Sequence, residues 1–487
     1  MPTDRGVMFQ YFEWNCKAEG SLWRELAGRA RELKNLGTTA VWMPPACKAM
    51  GGAADTGYAP YDLYDLGEFD QKGSVRTKYG TRDEYLAAVK AVQDAGMHAY
   101  ADAVLNHKMG GDETEEVEIE EVCCDDRNRC QSPPYKIKAW SHYKFPGRGG
   151  KYSPFKWHWP HFTAFGANAD APDEKGKIYR VKGKTFSGEV CFEFGNFDYL
   201  MGADVDHYHP DVREELLRWG RWFVETTGVN GFRLDAVKHI PASFYKEWLA
   251  RLRSEMAGRE VFAVGEYWSG SLDELQAYLA ATDGAMRLFD APLHFKFHRA
   301  SQDGRNFDLT KIFNGTLVQA NPLMAVTFVD NHDSQPGQSL QSWVDDWFKP
   351  LAYALILLRN DGYPCLFYGD YFGNPGDGQG RNKLTSHRKL IDDFLQARSK
   401  HMLGRQVDYF DHPACVGWLW TGDEQHADPM AVLISTGDAG AKRMQTGQPG
   451  RTFRDLTGHW PEPVTSGGDG AAEFRCPAGG VSVWCAC

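Results

Sequence analysis

The feature that most constrains the fold is a repeated alternation of short apolar strands with amphipathic helices, which runs from the N-terminus to about residue 400. Such alternation is typical of parallel βα units, and eight of them predict a closed (β/α)8 barrel. In that architecture the functional groups lie just beyond the carboxyl ends of the strands. The predicted strands begin near Met8, Ala40, His98, Gly231, Phe262, Arg287, Ala325 and Cys365.

Several predicted helices also carry start and stop signals. Thr81 and Glu84 have the spacing of a capping box, and Gly96 follows that helix. Ser271 and Glu274 repeat the spacing, and Pro241 is predicted in the first turn of another helix. These signals place helices where the barrel needs them, between successive strands.

Two parts of the chain do not follow this alternation. Roughly 100 residues separate His107 from about His207, far more than a loop requires, which predicts an inserted domain at 107–207. Within it, the alternation from Val117 to Ile119 in an acidic run fits either a solvated segment or an exposed edge strand. After Met402 short strands broken by Gly and Asp predict a C-terminal β domain at 403–487, leaving 1–106 and 208–402 for the barrel.

Four predicted strands end in polar, chemically useful residues. The segment GFRLDAVKH presents Arg233 and Asp235 on one face of a strand, because they are two residues apart. VFAVGEYW places Glu266 after a second strand, FVDNHD places His332 and Asp333 after a third, and DAVLNH ends a fourth. Hydrolysis of a glycosidic bond requires two facing carboxyl groups with opposite protonation. An arginine beside Asp235 favours its ionised form, so we predict Asp235 as nucleophile and Glu266 as acid and then base.

These four segments, in this order, resemble the four signature regions of the α-amylase family of glycoside hydrolases. The stretches MFQYFEW, GYAPYDLYDLGEF and YLMGADVDHYHPDV further resemble the liquefying α-amylases of bacteria and their fungal relatives. The resemblance covers most of the chain. It implies a (β/α)8 TIM barrel with an inserted irregular β-rich domain after strand 3 and a C-terminal antiparallel β-sandwich domain.

The activity that the resemblance implies is endo-acting hydrolysis of internal α-1,4-glucosidic bonds in starch, glycogen and maltooligosaccharides. The reaction would retain anomeric configuration through a covalent glycosyl-enzyme intermediate. Retention predicts that the carboxyl groups of Asp235 and Glu266 lie about 5–5.5 Å apart.

The resemblance also assigns roles around these two acids. Asp333 is similar to a third carboxylate that binds sugar hydroxyls, and the matching sugar-binding residues are Arg233, His107, His332, Tyr58, Trp14, Lys238, His239 and Trp268. Of these, His107 and His332 would grip one sugar, while Lys238 and His239 would receive the sugars on the leaving side.

A calcium site between the barrel and the inserted domain is implied in the same way. Its matching ligands are Asn106, Asp198, Asp204 and the backbone carbonyl of His239. Oxygen ligands of mixed charge suit calcium. Ser187, in KTFSGEV, stands where an aspartate of an additional metal cluster would be, so the sequence predicts one calcium and no additional ions.

Composition limits the partners. A net charge of −11 argues against nucleic acid and against an anionic membrane, whereas an α-glucan is neutral. No stretch approaches the roughly 20 apolar residues that span a bilayer, and no apolar leader follows Met1. We therefore expect a monomer located in the cytoplasm, with secretion from a longer precursor as the alternative.

Two other functions share these motifs. A transglycosylase forms the same covalent intermediate but passes it to a sugar hydroxyl, and its cyclic or branched products would reveal it. A non-catalytic carbohydrate-binding homologue would keep the barrel without the chemistry. The presence of all three carboxylates, Arg233 and both histidines argues against that second alternative.

Overall fold

The computed structural model describes residues 6–376, 380–424 and 428–487. Eight parallel strands close into a barrel in which each strand pairs with its neighbours in chain order. The strands are Met8–Gln10, Ala40–Met43, His98–Ala103, Gly231–Leu234, Phe262–Gly265, Arg287–Phe289, Ala325–Phe328 and Tyr363–Phe367. The predicted barrel is confirmed, and seven strands begin at the predicted residue. The last begins at Tyr363 instead of Cys365, because Tyr363 already pairs with Val326.

Helices surround this barrel and follow the strands. Their bounds are Leu22–Asn35, Arg82–Asp94, Pro210–Thr227, Ala242–Glu255, Leu272–Ala281, Ala291–Asp303, Leu317–Ala320, Lys349–Leu357, Tyr368–Phe372 and Arg388–His401. The capping box of Thr81 and Glu84 is confirmed in both directions. Ser271 accepts the N–H of Glu274 as the spacing predicts. The prediction that Pro241 lies in the first turn is wrong: its ψ of 125° is extended, so it caps the helix that starts at Ala242.

The segment between the third barrel strand and its helix forms a six-stranded sheet of its own. In sheet order its strands are His107–Lys108, Ala203–Val205, Phe162–Phe165, Ile178–Val181, Glu113–Val122 and Tyr135–His142. The acidic run lies in Glu113–Val122, and Val117 and Ile119 are buried there. That strand has a neighbour on both sides, so neither the solvated segment nor the edge strand predicted for this run is correct. The apolar residues at alternate positions cover the core, while the glutamates face solvent.

The C-terminal part contains antiparallel strands in two sheets. The larger sheet has the order Gln406–Tyr409, Cys415–Trp420, Met430–Ser435, Val481–Ala486, Thr452–Asp455 and Val464–Thr465, and the smaller one pairs Gly440–Gln445 with Ala471–Cys476. Leu433, Met444, Phe474 and Trp484 belong to one buried cluster that both sheets share. A final pair joins Lys48–Ala49 to Pro60–Asp62. No helix in the described part of the chain combines the length and the apolar character needed to cross a bilayer.

Candidate active site

The centre of the site is the buried guanidinium of Arg233, on the strand Gly231–Leu234. Its Nη1 atom donates to Asp235 Oδ1 at 2.6 Å and to Asp102 Oδ1 at 2.9 Å. Its Nη2 atom lies 2.7 Å from Glu266 Oε2. These carboxyls come from three adjacent barrel strands, so one arginine holds the predicted nucleophile and the predicted acid at the same end of the barrel.

The backbone between the strands also positions Glu266. The N–H of Ala236, directly after the predicted nucleophile, donates to Glu266 Oε2 at 3.2 Å. Gly265 permits the close packing here, because a Cβ at that position would lie 2.6 Å from Met286 Sδ. The carboxyl is thus held by both a side chain and a backbone donor.

Burial dominates the electrostatics of the carboxyl groups. It raises the pKa of Asp235 to about 7; Arg233 opposes this shift, while Glu266 adds to it. Burial likewise raises the pKa of Asp333 well above its usual value, again with a contribution from Glu266. Arg233 favours the ionised form of Asp235, as the sequence predicts, but desolvation is the larger effect and raises the pKa. Asp235 ionises close to neutral pH.

The third carboxyl lies beside a buried histidine. Asp333 follows the strand Ala325–Phe328, and its N–H donates to Asn331 Oδ1 at 2.9 Å. His332 Nδ1 lies 3.1 Å from Gln10 Nε2, and its Nε2 lies 3.2 Å from Asp333 Oδ2. Burial lowers the pKa of His332 well below its usual value, and its Nε2 atom, although close to Asp333, has no hydrogen-bond partner among the described residues.

Aromatic rings and a second histidine form one wall of the site. Tyr58 OH donates to Asp102 Oδ2 at 2.7 Å, and its ring stacks on His332 with centroids 4.9 Å apart. Trp14 stacks on Tyr58 in turn, at 5.8 Å and 9° between the planes. His107 Nε2 lies 2.9 Å from the carbonyl oxygen of Tyr58, and its buried Nδ1 has no partner among the described residues. The wall therefore consists of flat aromatic rings, and the unpartnered Nδ1 atom of His107 is buried within it.

The opposite wall contains the two predicted leaving-side residues. Lys238 Nζ donates to Glu193 Oε2 at 2.9 Å and to the carbonyl of Trp268 at 3.1 Å. His239 Nδ1 lies 2.6 Å from the carbonyl oxygen of Phe197. Lys238 thus connects Glu193, in an irregular part of the inserted segment, to the loop that follows Glu266.

A single cleft of about 570 Å³ joins these groups. Nine predicted site residues line it: Trp14, Tyr58, His107, Asp235, Lys238, His239, Glu266, Trp268 and Asp333. The structure thus brings the three predicted carboxyls to one cavity. Arg233 and His332 lie behind the wall, where they hold the carboxyls rather than line the cleft.

Several cleft residues were missed from the sequence. The segment DAVLNH pointed to Asp102, but nothing indicated that it would share Arg233 with the other acids. Phe295 lines the cleft from the helix Ala291–Asp303, and further residues line it from irregular segments without hydrophobic periodicity: Glu193, Phe194, Phe197, Leu200, Met201, Ser339 and Leu340. The sequence alone showed only that these segments contain aromatic and polar residues.

The predicted calcium ligands include buried oxygen atoms that the protein does not use. Asn106 Oδ1 and Asp204 Oδ2 are buried without a hydrogen-bond partner among the described residues. Burial raises the pKa of Asp204 well above its usual value, and Asp198 raises it further. Two neighbouring buried carboxyls, one of them with an unused oxygen, beside an unused amide oxygen fit a divalent cation, which would replace the missing solvation. Lys184 Nζ lies 2.7 Å from Asp206 Oδ2, so an ammonium group already neutralises the next carboxylate.

A second group of potential ligands combines His161 of the inserted segment with His209 and Asp211 at the start of the helix Pro210–Thr227. Ligand atoms of His161, His209 and Asp211 are within 4.8 Å of one another. However, His161 Nδ1 accepts the N–H of His158 at 3.1 Å, and His209 Nδ1 accepts that of Asp211 at 3.3 Å. These bonds place the ring hydrogen on Nε2. The group is therefore explained by backbone hydrogen bonding, and the predicted calcium ligands are not part of it.

A closed (β/α)8 barrel whose strand ends bring paired carboxyls to one cleft defines a barrel-type glycoside hydrolase. The family description "Alpha amylase, catalytic domain" matches residues 23–418. An α-amylase of Geobacillus stearothermophilus is 50% identical over 98% of this chain and 86% of its own length. The cytoplasmic α-amylase of Escherichia coli K12 is 44% identical over 98% of both chains. The chain belongs to the α-amylase family.

Solved structures agree at the level of the fold. The α-amylase of Geobacillus thermoleovorans, solved in complex with acarbose, aligns with a TM-score of 0.64 at 17% identity. The alignment covers 100% of this chain and 99% of that one. The shared architecture therefore extends through the inserted and C-terminal sheets.

Proposed function

We propose that the protein hydrolyses internal α-1,4-glucosidic bonds in starch, glycogen and maltooligosaccharides, with retention of anomeric configuration. The single observation that carries this proposal is the sharing of Arg233 by Asp235 and Glu266 in a cleft that Asp333 also lines. The names of the two bacterial relatives support the same activity.

In the first step, Asp235 Oδ attacks the anomeric carbon while Glu266 donates its proton to the departing glycosidic oxygen. The bond to the leaving sugar breaks with both of its electrons going to that oxygen. In the second step, Glu266 takes a proton from water, whose oxygen displaces Asp235 from the anomeric carbon. Two inversions at one carbon give net retention.

The remaining site residues position the sugar. Asp333 would accept hydrogen bonds from sugar hydroxyls, and His107, which also lines the cleft, would contact the same sugar. Trp14 and Tyr58 present parallel faces to the apolar side of a pyranose ring. On the leaving side, Lys238 and His239 would contact the departing chain, with Trp268 beside them. Arg233 and His332 act from behind by orienting carboxyls.

We propose that Asn106, Asp198, Asp204 and the carbonyl of His239 hold one calcium ion. When bound, the ion would supply charge that lets the two buried aspartates ionise and would tie the inserted segment to the barrel. It would take no part in the bond-breaking steps. The unused oxygens of Asn106 and Asp204 support this assignment.

We propose three domains, supported by the separate sheets: the barrel at 1–106 and 208–402, the inserted domain at 107–207 and the C-terminal domain at 403–487.

We further propose a monomer that acts on α-glucan in the cytoplasm, as the name of the Escherichia coli relative indicates for that protein. Secretion is the alternative, and fractionation of the source cells separates the two.

A time course of product sizes from amylose tests the proposed activity. Endo hydrolysis predicts a rapid fall in mean chain length, with one new reducing end for each bond broken and products initially in the α-anomeric form. Cyclic or branched products without new reducing ends would show a transglycosylase instead. Exclusive release of one short product from the chain end would contradict internal cleavage.

A further inference from the structure

One aromatic residue at the rim of the cleft has an unusual backbone. Phe194 adopts the left-handed conformation, with φ 53° and ψ 32°, although it is not a glycine. Its side chain is 47% exposed and lines the cleft. Bulky residues rarely adopt this conformation, and such strain is concentrated at functional sites. Both the strain and the exposed ring require an explanation.

The surrounding contacts hold Phe194 firmly in this conformation. The backbone N–H of Arg127 donates to the carbonyl of Phe194 at 2.9 Å. The Arg127 guanidinium lies over the ring of Phe197 at 4.2 Å and near that of Phe194 at 5.2 Å. The two phenylalanine rings meet edge to face with centroids 5.3 Å apart. The ring is therefore fixed in place before any ligand binds, although nearly half of it faces solvent.

The contacts of the neighbouring residue show which part of the cleft Phe194 faces. The acid Glu266 protonates the departing oxygen, so the leaving sugars must lie on its side of the scissile bond. Trp268 follows Glu266 by two residues, and its carbonyl accepts from Lys238, which also donates to Glu193. Because Glu193 precedes Phe194 directly, this chain of contacts places Phe194 at the leaving-side end.

We propose that Phe194 is a specificity-determining platform on which a sugar of the departing chain stacks. This inference rests on the proposed hydrolytic function and extends it to a residue that neither the motifs nor the catalytic steps require. Sugar rings have apolar faces that pack on fixed aromatic rings, and a preorganised ring loses little entropy on binding. Removal of the ring should weaken only the reactions in which sugars occupy the leaving side.

Phe194→Asn is the most informative variant, because asparagine tolerates the left-handed conformation and lacks the ring. Phe194→Tyr keeps the ring and is the conservative variant. Phe192→Ala is the matched control, since Phe192 is 69% exposed, lies two residues away and is not among the residues lining the cleft. Thermal midpoints of all three variants report any structural damage.

Two substrates separate the proposed role from a general loss of activity. Maltoheptaose places sugars on both sides of the scissile bond, whereas α-maltotriosyl fluoride has only fluoride on the leaving side. For Phe194→Asn we expect kcat/KM on maltoheptaose to fall about five- to thirty-fold. This is the loss expected when one contact between an aromatic ring and a sugar is removed. The fold decrease in kcat/KM on α-maltotriosyl fluoride should be at least five times smaller than that on maltoheptaose. Phe194→Tyr, which keeps the ring, should have most of the wild-type activity on maltoheptaose.

Equal losses on the two substrates, no loss on either, or an equal effect from Phe192→Ala would overturn the proposed role of Phe194. The wild-type enzyme tests the underlying function separately. If the wild type releases fluoride but does not shorten maltoheptaose, or does neither, the hydrolytic assignment itself fails.

Discussion

At the scale of single residues, the site depends on how one buried cation is shared among several acids. Arg233 contacts Asp102, Asp235 and Glu266, so its charge is divided instead of being reserved for the nucleophile. Burial of Asp235 then decides its ionisation, and its pKa is raised to about 7. Asp235, the proposed nucleophile, is therefore only partly ionised at neutral pH.

This electrostatic balance predicts the acid side of the pH profile. The nucleophile must be ionised, and its pKa in the folded protein is raised, so kcat/KM should fall as pH decreases through about 7. Replacing Arg233 by Gln removes the interaction that lowers the pKa, which should move this acid limb to higher pH and reduce the maximum rate. The measurement is kcat/KM for α-maltotriosyl fluoride between pH 4 and 9.

An exposed arginine provides the control for that experiment. Arg299→Gln removes a cation whose side chain is 76% exposed and should leave the profile unchanged. A profile that is flat from pH 5 to pH 8, or an acid limb that Arg233→Gln moves to lower pH, would contradict this account of Asp235.

At the scale of secondary-structure elements, the sequence predicted the barrel strands well because their signal is local. A parallel strand buried on both faces appears as a short apolar run, and polar residues mark its carboxyl end. The strand Glu113–Val122 was harder, because its glutamates dominate the composition while only Val117 and Ile119 show the buried face. Phe194 could not be predicted, since its backbone conformation depends on Arg127 and Phe197, which are brought together only by folding.

Within the site, the sequence revealed the residues whose position follows from a local pattern. Asp235, Glu266 and Asp333 follow recognisable strands, so their position at one end of the barrel could be inferred. The sharing of Arg233 by Asp235 and Glu266, and the burial that raises the pKa of Asp235, depend on neighbours from other strands. Glu193 lies in an irregular segment, and no periodic pattern connected it with Lys238.

The junction between the inserted sheet and the barrel supports a prediction about calcium. Asn106 lies just beyond the third barrel strand, whereas Asp204 lies in the inserted sheet, and an ion bound only by the folded protein stabilises it by mass action. Excess chelator should therefore lower the thermal midpoint by several degrees or more, and added calcium should restore it. The measurement is thermal unfolding with and without chelator.

Two variants sharpen the calcium experiment. Asn106→Ala should unfold at a lower temperature and lose most of its response to chelator, whereas Asn321→Ala, at an exposed helix end, should respond as the wild type does. An unchanged midpoint of the wild type in excess chelator would remove calcium from the proposal.

At the scale of the whole molecule, catalytic groups separated by nearly 100 residues meet because barrel closure brings strand ends together. The inserted segment contributes Glu193 and Phe194 to the cleft from a short 3-10 turn outside its sheet, and Lys238 connects that turn to the barrel. The barrel therefore supplies the bond-breaking groups, while the inserted segment shapes the leaving side.

The most direct test of the central claim is to trap the covalent intermediate and locate it. A 5-fluoro maltooligosyl fluoride reacts with the nucleophile because fluoride leaves without acid assistance, and Glu266→Gln slows the water attack that releases the sugar. Mass spectrometry should then show one added glycosyl group, on the peptide that contains Asp235. A label on Asp333 or Glu193, or no label while fluoride is released, would contradict the assignment of Asp235 as the nucleophile.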